Sequence, residues 1–138
     1  MRQSYYDLEE NKAAKFNIFR YEDRVREADH PLLNLAIVIN YLHDEAYLLL
    51  ETNEYLQRQD HIEIDWSGEQ GSIGTIVLDD YNREGMLEFA SQVYEALQQK
   101  AHFTVQAEDR AIPILEDQKE REAFRVTVTD YYRLTRVY

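Results

Sequence analysis

The chain has 138 residues, with 27 acidic against 15 basic side chains and a formal net charge of −12. A 44% hydrophobic fraction with 11 tyrosines excludes a disordered acidic tail, and 138 residues suffice for one core without staples. The absence of cysteine removes disulfides, thiolate metal sites and cysteine nucleophiles, and the acidic balance argues against binding a nucleic-acid backbone or an anionic membrane.

Residues 1–14 are polar and of mixed charge, with Tyr5 and Tyr6 as the bulky side chains, which predicts a loosely held arm ahead of a single domain over 15–138. Phe16 and Ile18 alternate with Asn17 and Phe19 and lead to Arg20 and Tyr21, a short strand. From Pro31 to about Gln57, Leu32, Leu35, Ile39, Leu42, Ala46, Leu49 and Leu56 follow a three-four spacing without glycine or internal proline. One long helix is therefore expected rather than two strands, because a turn at residues 43–46 has neither glycine nor asparagine. Leu33, Ile37, Val38, Tyr41 and Tyr47 fall off that stripe, so such a helix is apolar over most of its circumference.

The period then changes to two. Ile62, Ile64 and Trp66 alternate with His61, Glu63 and Asp65, residues 67–72 hold two glycines, and Ile73 to Leu78 make a return strand. Asp79, Asp80 and Asn82 are N-cap candidates for a helix buried through Met86, Phe89, Ala90, Val93 and Leu97. Residues 102–105 are strand. A charged connection over 108–122 carries a short edge piece around Ile112, Ile114 and Leu115. Phe124, Val126, Val128, Tyr132 and Leu134 alternate with Arg125, Thr127, Thr129 and Arg133, which predicts a long strand over 124–138. The order is β-α-β-β-α-β plus that strand: an α+β domain of ferredoxin-like plan, one mixed or antiparallel sheet with two helices on one face.

Motifs that name a reaction are missing. His61, Glu63 and Asp65 share a strand face, yet one imidazole with two carboxylates lacks specific ligand spacing, and the solvated side of a half-buried strand explains them better. His43, Asp44 and Glu45 are adjacent and point apart on a helix; helix capping accounts for Asp79 and Asp80; His102 reads as a surface or satisfied core histidine. No serine has a nucleophile elbow and no glycine a phosphate-loop pattern. The expectation is a protein with no catalytic residues, metal or cofactor. No signal-like or membrane-spanning apolar run occurs, so a cytoplasmic location is expected, or a virion if the chain is phage-encoded.

Charge is distributed unevenly. Residues 31–70 hold eight acids and only Arg58, whereas Arg121, Arg125, Arg133 and Arg136 face only Glu122 and Asp130 in the last eighteen positions. Opposite-sign regions suit self-association, and Tyr131, Tyr132 and Tyr138 beside Arg133 and Arg136 have interface composition. The counterpart reading is an ordinary edge strand kept soluble by its arginines.

The order helix, hairpin, helix, strand, strand over residues 31–138 resembles phage neck and tail-terminator proteins. That resemblance implies a homo-oligomeric ring without catalysis, carries no motif residue across, and leaves the N-terminal strand and arm as departures. A second expectation is an acidic inhibitor, such as an immunity protein, antitoxin, anti-defence protein or nucleic-acid mimic. It would present Glu51, Glu54, Glu63 and Asp65 to a basic enzyme surface.

Overall fold

The computed structural model describes residues 2–56 and 59–136. It is a mixed α+β fold of two antiparallel four-stranded sheets and two α-helices. After a single 3-10 turn at Gln3–Tyr5, the first sheet is a meander of β1 (Tyr6–Asn11), β2 (Phe16–Tyr21), β3 (Leu33–Asn40) and β4 (Glu45–Thr52) in that order. The second contains β5 (Ile62–Ser67), β6 (Ile73–Leu78), β7 (His102–Ala107) and β8 (Arg110–Ile114), ordered β6-β5-β7-β8. Helix α1 (Arg83–Gln98) joins β6 to β7, and α2 (Gln118–Thr135) follows β8.

The expected long helix over 31–57 is instead the β3–β4 hairpin, with Ile37 opposite Leu48 and Leu35 opposite Leu50. Leu33, Leu35 and Ile37 face the main core, and Ala36 and Val38 are buried on the other face. A strand buried on both faces gives an unbroken apolar run, and such a run also satisfies helical spacing. The β-branched Ile37-Val38-Ile39 tips it toward strand. Its turn is made by asparagine rather than glycine. The Asn40 side-chain oxygen accepts from the Leu42 and His43 amides at 3.0 and 3.2 Å, and Asp44 takes a left-handed φ of 54°.

The expected strand over 124–138 is likewise corrected to α2. Ala123, Phe124, Thr127, Val128 and Tyr131 are its buried stripe at three-four spacing. Asp117 caps it by accepting from the Lys119 amide at 2.9 Å. The run of threonine and valine that imitates a strand is accommodated by back-bonding. Thr127, Thr129 and Thr135 donate to the carbonyls of Ala123, Arg125 and Tyr131, each four residues earlier.

These two changes replace the expected single ferredoxin-like sheet by two sheets. A third difference is that residues 6–11 of the expected loose arm form β1, pairing along β2 from Tyr6–Tyr21 to Asn11–Phe16. Asn11 closes that turn by accepting from the Ala14 amide at 3.0 Å. Tyr6 is buried and lies edge-on to Tyr21, with ring centroids 5.6 Å apart.

Three smaller expectations change: Asn82 rather than Asp79 or Asp80 caps the next helix, with Asp80 accepting from Asn82; residues 118–122 of the expected connection open α2; and His43, Asp44 and Glu45 lie at the β3–β4 turn, not on a helix. The remaining elements agree. The β2, β5, β6 and β7 strands, the short β8 piece and α1 lie where alternation and helical spacing put them. Asn82 caps α1 by accepting from the Gly85 amide at 2.7 Å. At the other end the Ala101 amide bonds the Ala96 carbonyl and the Lys100 amide that of Leu97, a Schellman closure with Lys100 at φ 56° in the usual glycine position.

One hydrophobic core joins everything. It includes Phe19, Leu35, Ile37 and Leu48 from the first sheet, Ile62, Ile64, Ile76 and Phe103 from the second, and Phe89, Val93, Phe124 and Val128 from the helices. Helix α2 packs on β3 and β4, while α1 touches β4, β6 and α2 and so spans the two sheets. Truncating a ring as buried as Phe124 to alanine would cost about 3–5 kcal/mol. Among the described residues no helix is long and apolar enough to cross a membrane.

Candidate interaction surfaces

The two described tyrosines of the expected Tyr–Arg interface are turned into the fold. Tyr131 is buried on α2 and its hydroxyl donates to the Ala46 carbonyl of β4 at 3.3 Å. Tyr132 is half-buried, donates to Ser91 Oγ of α1 at 2.6 Å, and packs edge-on against Tyr94. Burial raises the Tyr131 phenol above its ordinary pKa. Both rings therefore fasten α2 to its neighbours. Arg133 and Arg136 are exposed near the end of the helix, with Arg133 Nη1 3.9 Å from Asp130; Tyr138 lies outside the described residues.

The acidic candidates are divided between the sheets. Glu51 on β4 is held by Arg20 through two contacts of 2.8 and 3.0 Å, and Arg20 also reaches Glu9 at 2.7 Å. Glu54 is exposed in the connection after β4. Glu63 and Asp65 share the outer face of β5, where Asp65 accepts from Thr75 at 2.8 Å and from Gln106 at 3.0 Å. His61 precedes β5 and is exposed, and among the described residues no group of three histidine or acidic side chains is placed to hold a metal ion.

Two buried polar contacts could not be read from spacing. The carboxylate of Glu120 is 3% exposed; one oxygen lies 3.1 Å from His30 Nε2 and the other has no partner among the described residues. Burial raises its pKa, outweighing the attraction of His30. Tyr6 donates to Asp130 across 2.6 Å, and burial together with that carboxylate raises the phenol well above its ordinary range. A groove of about 600 Å³ between the β7 start and α2 is lined by Lys100, His102, Arg121, Glu122 and Arg125 among others. Its charges are mixed and largely committed: Arg125 to Glu122 at 2.6 Å, and Arg121 to the Leu115 carbonyl at 2.9 Å.

The outer face of the first sheet has a small apolar cluster of Ile18, Ala36 and Val38, surrounded by half-buried Phe16, Tyr47 and Leu49. It is shielded at one side by the Arg83 guanidinium, 4.2 Å above the Tyr47 ring and paired with Glu45 at 2.9 Å.

The four sheet edges differ in how they are protected. Edge strand β1 carries Asp7, Glu9 and Glu10. The β4 edge is covered by helices: the Leu50 amide meets Met86 Sδ at 3.5 Å and the Ala46 carbonyl meets Tyr131. Edge strand β8 is interrupted by Pro113, which has no amide to offer. Strand β6, Ile-Gly-Thr-Ile-Val-Leu, has neither charge nor proline, and its Ile73 and Val77 are 79% and 42% exposed. Nothing in alternation alone shows which strand of a sheet is its edge, so the sequence marks this segment only as a hairpin strand. Comparison with family models, with curated proteins and with solved structures found no match.

Proposed function

We propose that this chain is a non-enzymatic assembly subunit that works by protein–protein contact, including self-association. The observation that carries the reading is β6: an edge strand without charge or proline that has no cover among the described residues and presents the most exposed large apolar side chain among them, Ile73. Natural sheets usually blunt such edges against unwanted pairing, as the other three edges here are blunted. An edge left open on an otherwise strongly acidic chain is a place where another strand can be added. The element order that resembles phage neck and tail-terminator proteins is replaced by the β3–β4 hairpin and α2, so the proposal stays at assembly in general. Sedimentation velocity tests it: a discrete oligomer supports assembly. A monomer at high micromolar concentration counts against self-assembly.

A second reading, an acidic inhibitor of a basic enzyme, draws on exposed Glu54 and on Glu63 and Asp65 along one strand face. The Arg20 pairs of Glu51 weaken it, because a carboxylate already matched by a guanidinium contributes less to an anionic array. Reversing Glu54, Glu63 and Asp65 to lysine should abolish capture of a basic partner if this reading is correct.

A further inference from the structure

We propose that two copies of this chain join through β6, antiparallel across a twofold axis at Thr75, so that the second sheet runs continuously from one copy to the other. This rests on the assembly reading and names its partner as a second copy.

Hydrogen-bond parity indicates which backbone groups are free. The Gly68 amide bonds the Ser72 carbonyl at 2.6 Å, and the β5–β6 register continues from there through Trp66–Gly74, Ile64–Ile76 and Ile62–Leu78. In an antiparallel ladder bonded pairs alternate, so Gly74, Ile76 and Leu78 turn their amides and carbonyls toward β5. Those of Ile73, Thr75 and Val77 turn outward, and among the described residues they meet no backbone partner. The side chains of these same three residues lie on the exposed outer face.

The segment is also complementary to itself. With Thr75 on the axis, Ile73 lies opposite Val77 of the second copy and Gly74 opposite Ile76. Thr75 meets its own counterpart in a bonded pair, so each outward amide finds an outward carbonyl. Beyond the strand, Asp79 falls opposite Gly71 and Asp80 opposite Gln70, and no like charges are placed face to face. The same operation on β1 would bring Asp7, Glu9 and Glu10 against their own copies, and on β8 it would meet Pro113. For a molecule of net charge −12, β6 is the one described edge strand that brings no charged side chain of its own into pairing with an identical neighbour. A different protein could supply a strand, but only a second copy makes every pairing above follow from this sequence.

The chain contains no cysteine, so one introduced thiol reports unambiguously. Bonded antiparallel partners have Cα atoms about 5.5 Å apart, within disulfide reach. On mild oxidation Thr75→Cys should give a covalent dimer, whereas Gln106→Cys on β7 of the same outer face should not. Val77→Lys, at a position already exposed, should raise the dimer dissociation constant by at least about tenfold in sedimentation equilibrium. Circular dichroism of each variant checks folding, and if Val77→Lys does not fold, the thiol result decides. An oligomer that ignores Val77→Lys and yields no Thr75→Cys disulfide overturns pairing through β6 while leaving the assembly reading in place. A wild-type monomer at high micromolar concentration, again without the disulfide, overturns both.

Discussion

Tyr6 and Asp130, 124 positions apart in the chain, meet in a 2.6 Å hydrogen bond that ties the edge strand β1 to the middle of the last helix turns. The donor is 7% and the acceptor 8% exposed, so water cannot readily replace either. Tyr6→Phe keeps the ring against Tyr21 and removes only the hydroxyl. A hydrogen bond to a charged group contributes about 1.5–3 kcal/mol, and a loss of that size should appear in urea unfolding at neutral pH. An unchanged midpoint would show that the contact adds nothing to the packing of β1.

Glu120 gives a pH prediction. Burial raises its pKa in the folded protein, so the native state holds its proton more tightly than the unfolded chain does. Its contribution is therefore fully present below the ordinary carboxylate pKa and is lost as pH rises through the raised folded value. Glu120→Gln keeps the shape, cannot ionise and should be more stable than the parent at pH 7–8. The difference should shrink toward zero in acid, where both side chains are neutral. Thermal melts across pH test this, and a variant less stable at pH 8 would mean that the His30 contact dominates.

Lys100 sits at φ 56° where helix α1 ends. A left-handed non-glycine residue costs about 1–2 kcal/mol, while glycine adds roughly 0.4–1 kcal/mol of unfolded-state entropy. Lys100→Gly should thus stabilise by about 0.5–1 kcal/mol net. The Glu69 partner at 3.8 Å is exposed and subtracts little. A lower melting temperature would contradict this account of the helix end.

Gly74 is held by the indole beside it. A Cβ there would come within 2.6 Å of Trp66 Nε1, so Gly74→Ala must move the ring. Overpacking of this kind costs about 1–3 kcal/mol, more than the gain of about 0.5–1 kcal/mol from leaving glycine in a strand. Trp66 is the only tryptophan, and its emission should shift together with the urea midpoint. An unshifted spectrum would mean that the space is larger than the contact implies.

Where one face of an element meets the core and the other meets water, sequence period and structure agree, as in β5, β6 and α1. They part where that asymmetry fails. Strand β3 is buried on both sides, so its apolar run has no period to read. Helix α2 alternates valine and threonine over residues 126–129, which imitates a strand, while the threonine hydroxyls bond within the helix. Turns built from Asn40 and Asp44, or from Glu108 and Asp109 with both φ values positive, lack the glycine that marks a hairpin most clearly. The candidate surface was hidden for a different reason. Tyr131 and Arg133 have interface composition, but the same composition serves helix docking inside one chain. The openness of Ile73 depends on strand order, which is set by contacts distant in sequence.

The order of the elements also governs how the chain can be made. All four strands of the first sheet are neighbours in sequence and can zip as successive hairpins, yet the helix that covers β3 and β4 lies beyond the whole second sheet. During synthesis β4 can meet α1 first, but Leu35 and Ile37 of β3 wait for α2, until residues 118–135 have emerged. An apolar layer that waits for a late helix is open to aggregation during that interval.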